Sequence, residues 1–310
     1  MSTPPVRIAT RHSPLAMWQA EFVAERLQRL GHTTELVPLV SGGDIDMRPM
    51  DVAMPGEVRT TGVFTKRIQQ ALVDNEADVA VHSMKDLPTA VDDRFAMAAV
   101  PPRGDIRDAL VSFEQYGIED LPRGGIVGTG SLRRAAQLLR RRPDLQLLPV
   151  RGNVQTRLAK LRHGDYAAIV LAEAGVRRLG MDDLPRRVLS VDEMLPAVGQ
   201  GALAIEVRSD DGVNREAIAA LDDFRTHAAI VAERTLLSLL DGGCLAPIAA
   251  MADWHREDLR LTAMVLSPGG ETMIRRDGGG PAVNLDDAAA IGRSVADQLL
   301  GDGAANLLRR

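Results

Sequence analysis

The chain has 310 residues, 45% hydrophobic and 25% charged, with a net charge of −5 and a pI of 5.7. That length exceeds a single hydrophobic core, which stops growing at about 250–300 residues, and predicts two or three domains of ordinary globular composition. The acidic balance and an aromatic content of 3% exclude a general nucleic-acid binder, which needs a basic surface and stacking rings.

No secretory apolar stretch stands at the start, and no apolar run approaches the roughly 18 residues of a membrane span. One cysteine, Cys244, forms no internal disulfide and offers no cluster for zinc. These features predict a cytoplasmic protein with no membrane, nucleic-acid or metal partner.

In chain order, residues 6–10 read as a strand that turns at Arg11-His-Ser-Pro14. Ser13 suits the N-cap and Pro14 the first position of a helix that Gly31 stops. Leu15, Trp18, Phe22, Val23, Leu27 and Leu30 recur at helical spacing and predict its buried stripe. A strand over 35–40 precedes a Gly-, Met- and Pro-containing stretch at 41–61, long enough for a lid. A helix over 63–73, a strand over 78–82 and a polar loop over 83–90 follow. Such alternation predicts a parallel sheet with ligands at the strand C-termini.

A second alternation predicts strands at 126–128, 145–150 and 167–171, with helices over 132–142 and 154–163. Residues 202–207 read as a further strand. A third region carries a helix over 228–240, strands at 248–252 and 259–266, and a helix over 288–300.

Charge is unevenly spread. Residues 131–162 hold nine basic side chains against one acid, Asp144, a guanidinium field suited to carboxylates or phosphates. Within it, Thr129-Gly-Ser-Leu-Arg-Arg134 follows a strand and opens a helix, where backbone N–H groups, hydroxyls and guanidiniums make an anion site. The blander reading of a charge run is a solvated helix face. Arg140, Arg141 and Arg142, at a helix end before Pro143, read that way. Arg133, Arg134 and Arg151 sit in or beside strand-end loops and read as ligand contacts.

Lys85-Asp86 taken alone is a surface pair worth roughly 0–1 kcal/mol. Its position after a strand, behind His82 and Ser83, makes Asp86 a carboxylate within a cleft, with His82 satisfying nearby backbone. Cys244 by itself reads as a small buried hydrophobe, yet Gly242 and Gly243 imply an open turn that exposes its sulfur.

Several runs together resemble one family. They are Arg7-Ile-Ala-Thr-Arg-His-Ser-Pro-Leu-Ala16, Asp78-Val-Ala-Val-His-Ser-Met-Lys-Asp-Leu-Pro88, Gly128-Thr-Gly-Ser-Leu-Arg-Arg134 and Arg140-Arg-Arg-Pro-Asp144. Three more are Arg151-Gly-Asn-Val-Gln-Thr-Arg157, Leu195-Pro-Ala-Val-Gly-Gln-Gly-Ala202 and Gly242-Gly-Cys-Leu-Ala-Pro247. In this order they resemble the porphobilinogen deaminase (hydroxymethylbilane synthase) family over nearly the whole chain.

The resemblance implies an α/β protein of three domains. The first two are similar to two-lobed periplasmic binding proteins, and a small α+β C-terminal domain carries the cofactor cysteine. The expected division is 1–100 with 200–220, then 101–199, then 221–310. It implies a dipyrromethane cofactor joined by a thioether to Cys244, to which four porphobilinogen units are added head to tail with loss of ammonia. Asp86 is then the catalytic residue, stabilising the cationic azafulvene left by ammonia. Arg11, Ser13, Ser83, Lys85, Thr129, Ser131, Arg133, Arg134, Arg151, Arg157 and Gln200 are expected to hold cofactor and substrate, and Arg178 the incoming substrate.

Arg59 and Phe64 belong to the expected lid, which here lacks the lysines common in relatives, and Gly130 stands where many relatives have a second serine. A monomer is expected. The alternative is a non-catalytic two-lobed anion-binding receptor, against which the absent export signal and the glycine-flanked Cys244 both count.

Overall fold

A computed structural model describes residues 4–39, 63–90, 92–240 and 246–308. The chain opens with β1 (Val6–Arg11), α1 (Pro14–Arg29), β2 (Thr34–Leu39), α2 (Val63–Val73), β3 (Val79–Ser83) and β4 (Phe95–Ala99). Next come β5 (Asp108–Val111), β6 (Ile126–Gly128), α3 (Leu132–Arg141), β7 (Gln146–Leu148) and α4 (Val154–His163). They are followed by β8 (Ala168–Ala172), α5 (Glu173–Arg178), β9 (Arg186–Val188), β10 (Leu203–Arg208) and α6 (Gly212–Ala219). The remainder is α7 (Phe224–Leu239), β11 (Ile248–His255), β12 (Asp258–Leu266), β13 (Met273–Pro281), α8 (Leu285–Gly301) and α9 (Ala304–Leu308).

Two compact units result, Met1–Arg103 with Ala202–His227, and Gly104–Gly201 with Ala228–Arg310. The first is built on a sheet of order β2-β1-β3-β10-β4. Its first three strands are parallel, whereas β10 runs antiparallel to both β3 and β4. The expected parallel sheet is therefore mixed, because β10 returns from a distant part of the chain instead of through a helical crossover. One face packs Ile8, Val79, Val81 and Ile205 against Ala20, Val23 and Leu27 of α1. The other packs Ala9 and Ala80 against Ile68, Ala71 and Leu72 of α2. Burial on both faces explains the consecutive apolar residues Ile8-Ala9 in β1 and Val79-Ala-Val81 in β3.

Ser13 caps α1, its Oγ accepting from the Ala16 N–H at 3.3 Å, with Pro14 in the first turn. The buried face of α1 is rotated from the expected stripe. Ala16, Gln19, Ala20, Val23, Ala24 and Leu27 are buried, while Leu30 is 51% exposed. Small residues let the helix approach the sheet closely, and the large Trp18 and Phe22 stack on each other at 5.3 Å, half-buried.

The second unit contains a sheet of order β7-β6-β8-β5-β9. It repeats the same plan: β6 is parallel to β7 and β8, and β5 runs antiparallel to β8 and β9. A third sheet, the antiparallel meander β11-β12-β13, packs Ala250, Leu259, Leu261 and Val265 against α7, α8 and α9. Each of the three sheets thus has its own core, the third being the small C-terminal α+β domain. A seam of Ala136, Leu195, Ala249, Met264 and Leu266 joins α3 to that last sheet.

Glycines hide β13 from a sequence reading, because Gly278-Gly-Gly280 resembles a turn. Here they serve close packing: a Cβ on Gly279 would lie 2.5 Å from the Leu259 carbonyl oxygen, and one on Gly278 2.6 Å from Val295.

Candidate functional site

In the first unit the candidate residues gather where parallel strands end. Arg11 closes β1 and Ser83 closes its neighbour β3. The Gln19 side chain, from α1, donates to Ser83 Oγ at 2.8 Å, a partner the sequence reading missed. After Ser83 the chain makes a single 3-10 turn, Met84–Asp86. Met84 and Leu87 are buried and pin this turn, and the Met84 N–H donates to the Ala202 carbonyl at 3.0 Å. Lys85 is half-buried and Asp86 is exposed. His82 meets an acid. Its Nε2 lies 3.0 Å from the Glu206 carboxylate, which also accepts from Gln69 at 3.0 Å.

The second unit brings its residues together around an acid. The Thr129 Oγ1 accepts from the Ser131 N–H at 3.2 Å, and Ser131 Oγ caps α3 through the Arg134 N–H. Arg133 and Arg134 follow in the first turn of α3 but are 4% and 7% exposed, neither lying in an open loop. Both meet Asp108, the wholly buried first residue of β5. Arg134 donates Nε and Nη2 to Asp108 Oδ1 at 3.0 and 2.6 Å, and Nη1 to the Val170 carbonyl at 2.9 Å. Arg133 places Nη2 2.8 Å from Asp108 Oδ2 and donates Nη1 to the Leu195 carbonyl at 2.6 Å. Gln200 donates to Asp108 Oδ1 at 3.0 Å and to the Ile106 carbonyl at 2.7 Å.

Burial by itself would push the Asp108 carboxyl up, but Arg133, Arg134 and Gln200 outweigh it and hold the pKa at about 2. A folded value below the ordinary 3.8 means that this carboxylate stabilises the fold above pH about 4, an effect lost as pH falls through about 2. Its share is about 2 kcal/mol. Urea unfolding of wild type and Asp108→Asn at pH 6 and pH 2 checks this, since the gap between the two chains must narrow by about that amount in acid.

Arg151 is half-buried beside Gly152, whose φ of +100° sets the turn into α4. Asn153 caps that helix by accepting from the Thr156 N–H, and Arg157 Nε donates to the Gly152 carbonyl at 2.9 Å. Arg178, on α5, donates Nη2 to the Gly201 carbonyl at 2.6 Å. Burial lowers its guanidinium to about 10, a cost that a bound carboxylate would offset. The base of α5 is held by the buried Glu173, which accepts from Arg177 at 2.7 Å and Arg186 at 2.8 Å.

Arg142 departs from the solvated reading. Its Nη1 donates to the Ile118, Glu119 and Leu121 carbonyls, and its other nitrogens grip Asp144 at 2.7 and 2.8 Å. Arg141 is exposed. Cys244 and Arg59 lie outside the described residues, as does the side chain of Phe64 in the first turn of α2. Among the described residues no group of three or more His, Cys, Asp or Glu side chains is placed to hold a metal ion.

Asp108 is the residue that sequence reasoning missed. The sequence offered only an indirect signal: Asp108 heads the short apolar run Ala109-Leu-Val111. The donor set fits a polycarboxylate. It consists of guanidiniums, hydroxyls and helix-start N–H groups, and Arg133 Nε is buried with no partner among the described residues.

Residues 6–216 match the family model described as porphobilinogen deaminase, dipyromethane cofactor binding domain. Residues 227–301 match porphobilinogen deaminase, C-terminal domain. Similar solved structures include an arginine 3rd transport system periplasmic binding protein from Legionella pneumophila, 15% identical over 70% of this chain and 92% of that one, TM-score 0.42. Another is an amino acid ABC transporter substrate-binding protein from Streptococcus pneumoniae bound to L-arginine, 16% identical over 70% and 86%, TM-score 0.40. The family models span both units and the C-terminal sheet, and they decide for the enzyme over the non-catalytic receptor. The chain belongs to the porphobilinogen deaminase family, transferases that use a dipyrromethane cofactor to make hydroxymethylbilane from porphobilinogen.

Proposed function

We propose that the residues described above divide the work of the hydroxymethylbilane synthase reaction between binding and chemistry. Each porphobilinogen brings an acetate and a propionate, so binding is a problem of many buried carboxylates, for which bidentate guanidiniums are suited. Arg133, Arg134, Thr129, Ser131 and Gln200 hold the cofactor side, and Arg11, Ser13, Ser83, Lys85, Arg151 and Arg157 hold the other acid side chains. Arg178 receives the incoming substrate. A dipyrromethane held through Cys244 would supply a nucleophilic pyrrole carbon.

Asp86 carries the chemistry. As ammonia leaves the porphobilinogen side arm, positive charge spreads over the pyrrole, and a carboxylate beside the ring N–H stabilises it. A bond to a pyrrole α-carbon replaces the bond to the departing ammonia, that α-carbon's C–H bond breaks, and the same carboxylate would take up the released proton. The observation that carries the reading is the pair of family matches over 6–216 and 227–301. Ammonia release with porphobilinogen tests it: turnover gives one ammonia per porphobilinogen consumed, whereas a receptor would bind and release nothing.

The proposed division is domain 1 over 1–100 and 200–220, domain 2 over 101–199, and a C-terminal domain over 221–310. The enzyme works as a cytoplasmic monomer. Among the described residues no helix is long and apolar enough to cross a membrane, and sedimentation of the purified chain tests the monomer.

The arginines separate by stage. Arg133→Leu is expected to yield chain without cofactor. Arg178→Leu is expected to keep the cofactor and stall substrate capture. Arg141→Ala, at an exposed side chain that meets the Asp192 carbonyl and approaches Glu119 at 3.7 Å, is expected to be nearly silent. Intact mass and activity of the three variants check this, and identical behaviour would reduce the cluster to a diffuse field.

A further inference from the structure

We propose that Asp108 is a positioning residue for cofactor loading, holding the Arg133 and Arg134 guanidiniums in the planes that meet an incoming carboxylate. The inference rests on the reading that these two arginines bind the cofactor's acid side chains. Asp108 has no exposed surface, and its two oxygens are divided between the arginines, Oδ1 with Arg134 and Oδ2 with Arg133. Gln200 steadies the same carboxylate from the segment before β10. One acid thereby joins two consecutive guanidiniums, whose remaining nitrogens are also held by the Leu195 and Val170 carbonyls.

Charge counting shows why the cluster is more than a structural ion pair. Two buried cations face one buried anion, a surplus that apolar residues of the same size would avoid at lower cost. Asp108 Oδ2 meets Arg133 as an ion pair at 2.8 Å without a hydrogen bond, while Arg133 Nε is buried without a hydrogen-bond partner among the described residues and leaves the cluster with a donor to spare. A second carboxylate completes it. Asp108 supplies the first, so that the arginines are already oriented and partly compensated before any ligand arrives, which lowers the ordering cost of binding. The neighbouring Arg107 is engaged separately, with Asp105 at 2.7 Å.

The test uses full-length chain, purified without cofactor and incubated with porphobilinogen, with intact mass followed over time. Asp108→Asn keeps the shape and removes the charge. It is expected to slow the appearance of the loaded mass about 10–100-fold, the scale of a roughly 1 Å misplacement, and to raise the porphobilinogen concentration for half-maximal loading. Chain that has become loaded is expected to lose less in turnover than it lost in loading rate, because the covalent link now holds what the oriented arginines had to capture.

A structural role alone would lower loading and turnover together, in step with the folded fraction, and that result overturns the proposal. Asp108→Glu retains the charge on a longer stem and guards against a variant that does not fold: loading slowed by more than the turnover of loaded chain supports the proposal, and loading at the wild-type rate overturns it. Arg133→Leu in the same assay separates the two layers. If it loads normally, the cofactor-binding reading of the arginines is wrong. If it fails to load while Asp108→Asn loads normally, only the role of Asp108 is lost.

Discussion

Replacing Asp86 by Asn is expected to leave the fold intact and reduce turnover by several orders of magnitude. The side chain is exposed on a 3-10 turn whose anchors, Met84 and Leu87, are buried on either side. Neutralising it therefore removes a charge without opening the core, and thermal unfolding should stay close to wild type. Removing one electrostatic stabiliser of a transition state commonly costs ~10²–10³ in rate. Here a full charge is lost, and the same group also moves a proton, so the deficit is larger. Asp86→Glu keeps the charge and shifts its position, and some activity should survive. Steady-state ammonia release from both variants, with cofactor content measured by mass, is the check. Turnover of Asp86→Asn within a few-fold of wild type would make Asp86 a structural residue and the mechanism above wrong.

Much of the fold was legible where local chemistry specifies it. The helix start at Ser13-Pro14 follows from the cap and the fixed φ of proline, and α2, β6 and α4 span the residues their periodicity indicates. What stayed hidden depends on distant partners. The four residues of β5 gain their strand character from β8 and β9, and nothing in Asp108-Ala-Leu-Val111 announces those neighbours. The antiparallel course of β10 is set by pairing with β3, more than a hundred residues away in the chain.

The same limit holds at the candidate site. Thr129, Ser131, Arg133 and Arg134 stand out as a motif, because hydroxyls and guanidiniums at a helix start are chemically conspicuous. That both guanidiniums are buried against Asp108, 26 residues from Arg134, could not be seen, since a lone acid ahead of an apolar run looks like a surface residue. The alanine-rich face of α1 was misread for a related reason: periodicity located an apolar stripe, but close helix–sheet packing selected the small residues within it.

The mass of the purified, denatured wild-type chain is expected to exceed that of the encoded polypeptide by two linked pyrrole units. Cys244→Ser is expected to show no such excess and no sustained turnover. Cys244 is the one thiol in the sequence, within Gly242-Gly-Cys-Leu-Ala-Pro247. It follows α7, which ends at Leu239, and precedes β11, which begins at Ile248. A serine oxygen is a far weaker nucleophile than a thiolate at neutral pH, so the near-isosteric replacement isolates bond formation from packing. The loss should be nearly complete, because without the link every cycle would have to start from a free primer. Denaturation before mass measurement matters, since a carboxylate-rich ligand held only by arginines would dissociate while a thioether would not. Two variants then give the same apo mass for different reasons: Cys244→Ser lacks the bond, and Arg133→Leu lacks the capture. Adding back a preformed dipyrromethane that carries an aminomethyl arm, which loses ammonia as the thioether forms, distinguishes them at high concentration, raising the mass of Arg133→Leu but not of Cys244→Ser. An unmodified mass in a fully active wild-type preparation would remove the covalent cofactor from the mechanism and leave the arginines as substrate contacts alone.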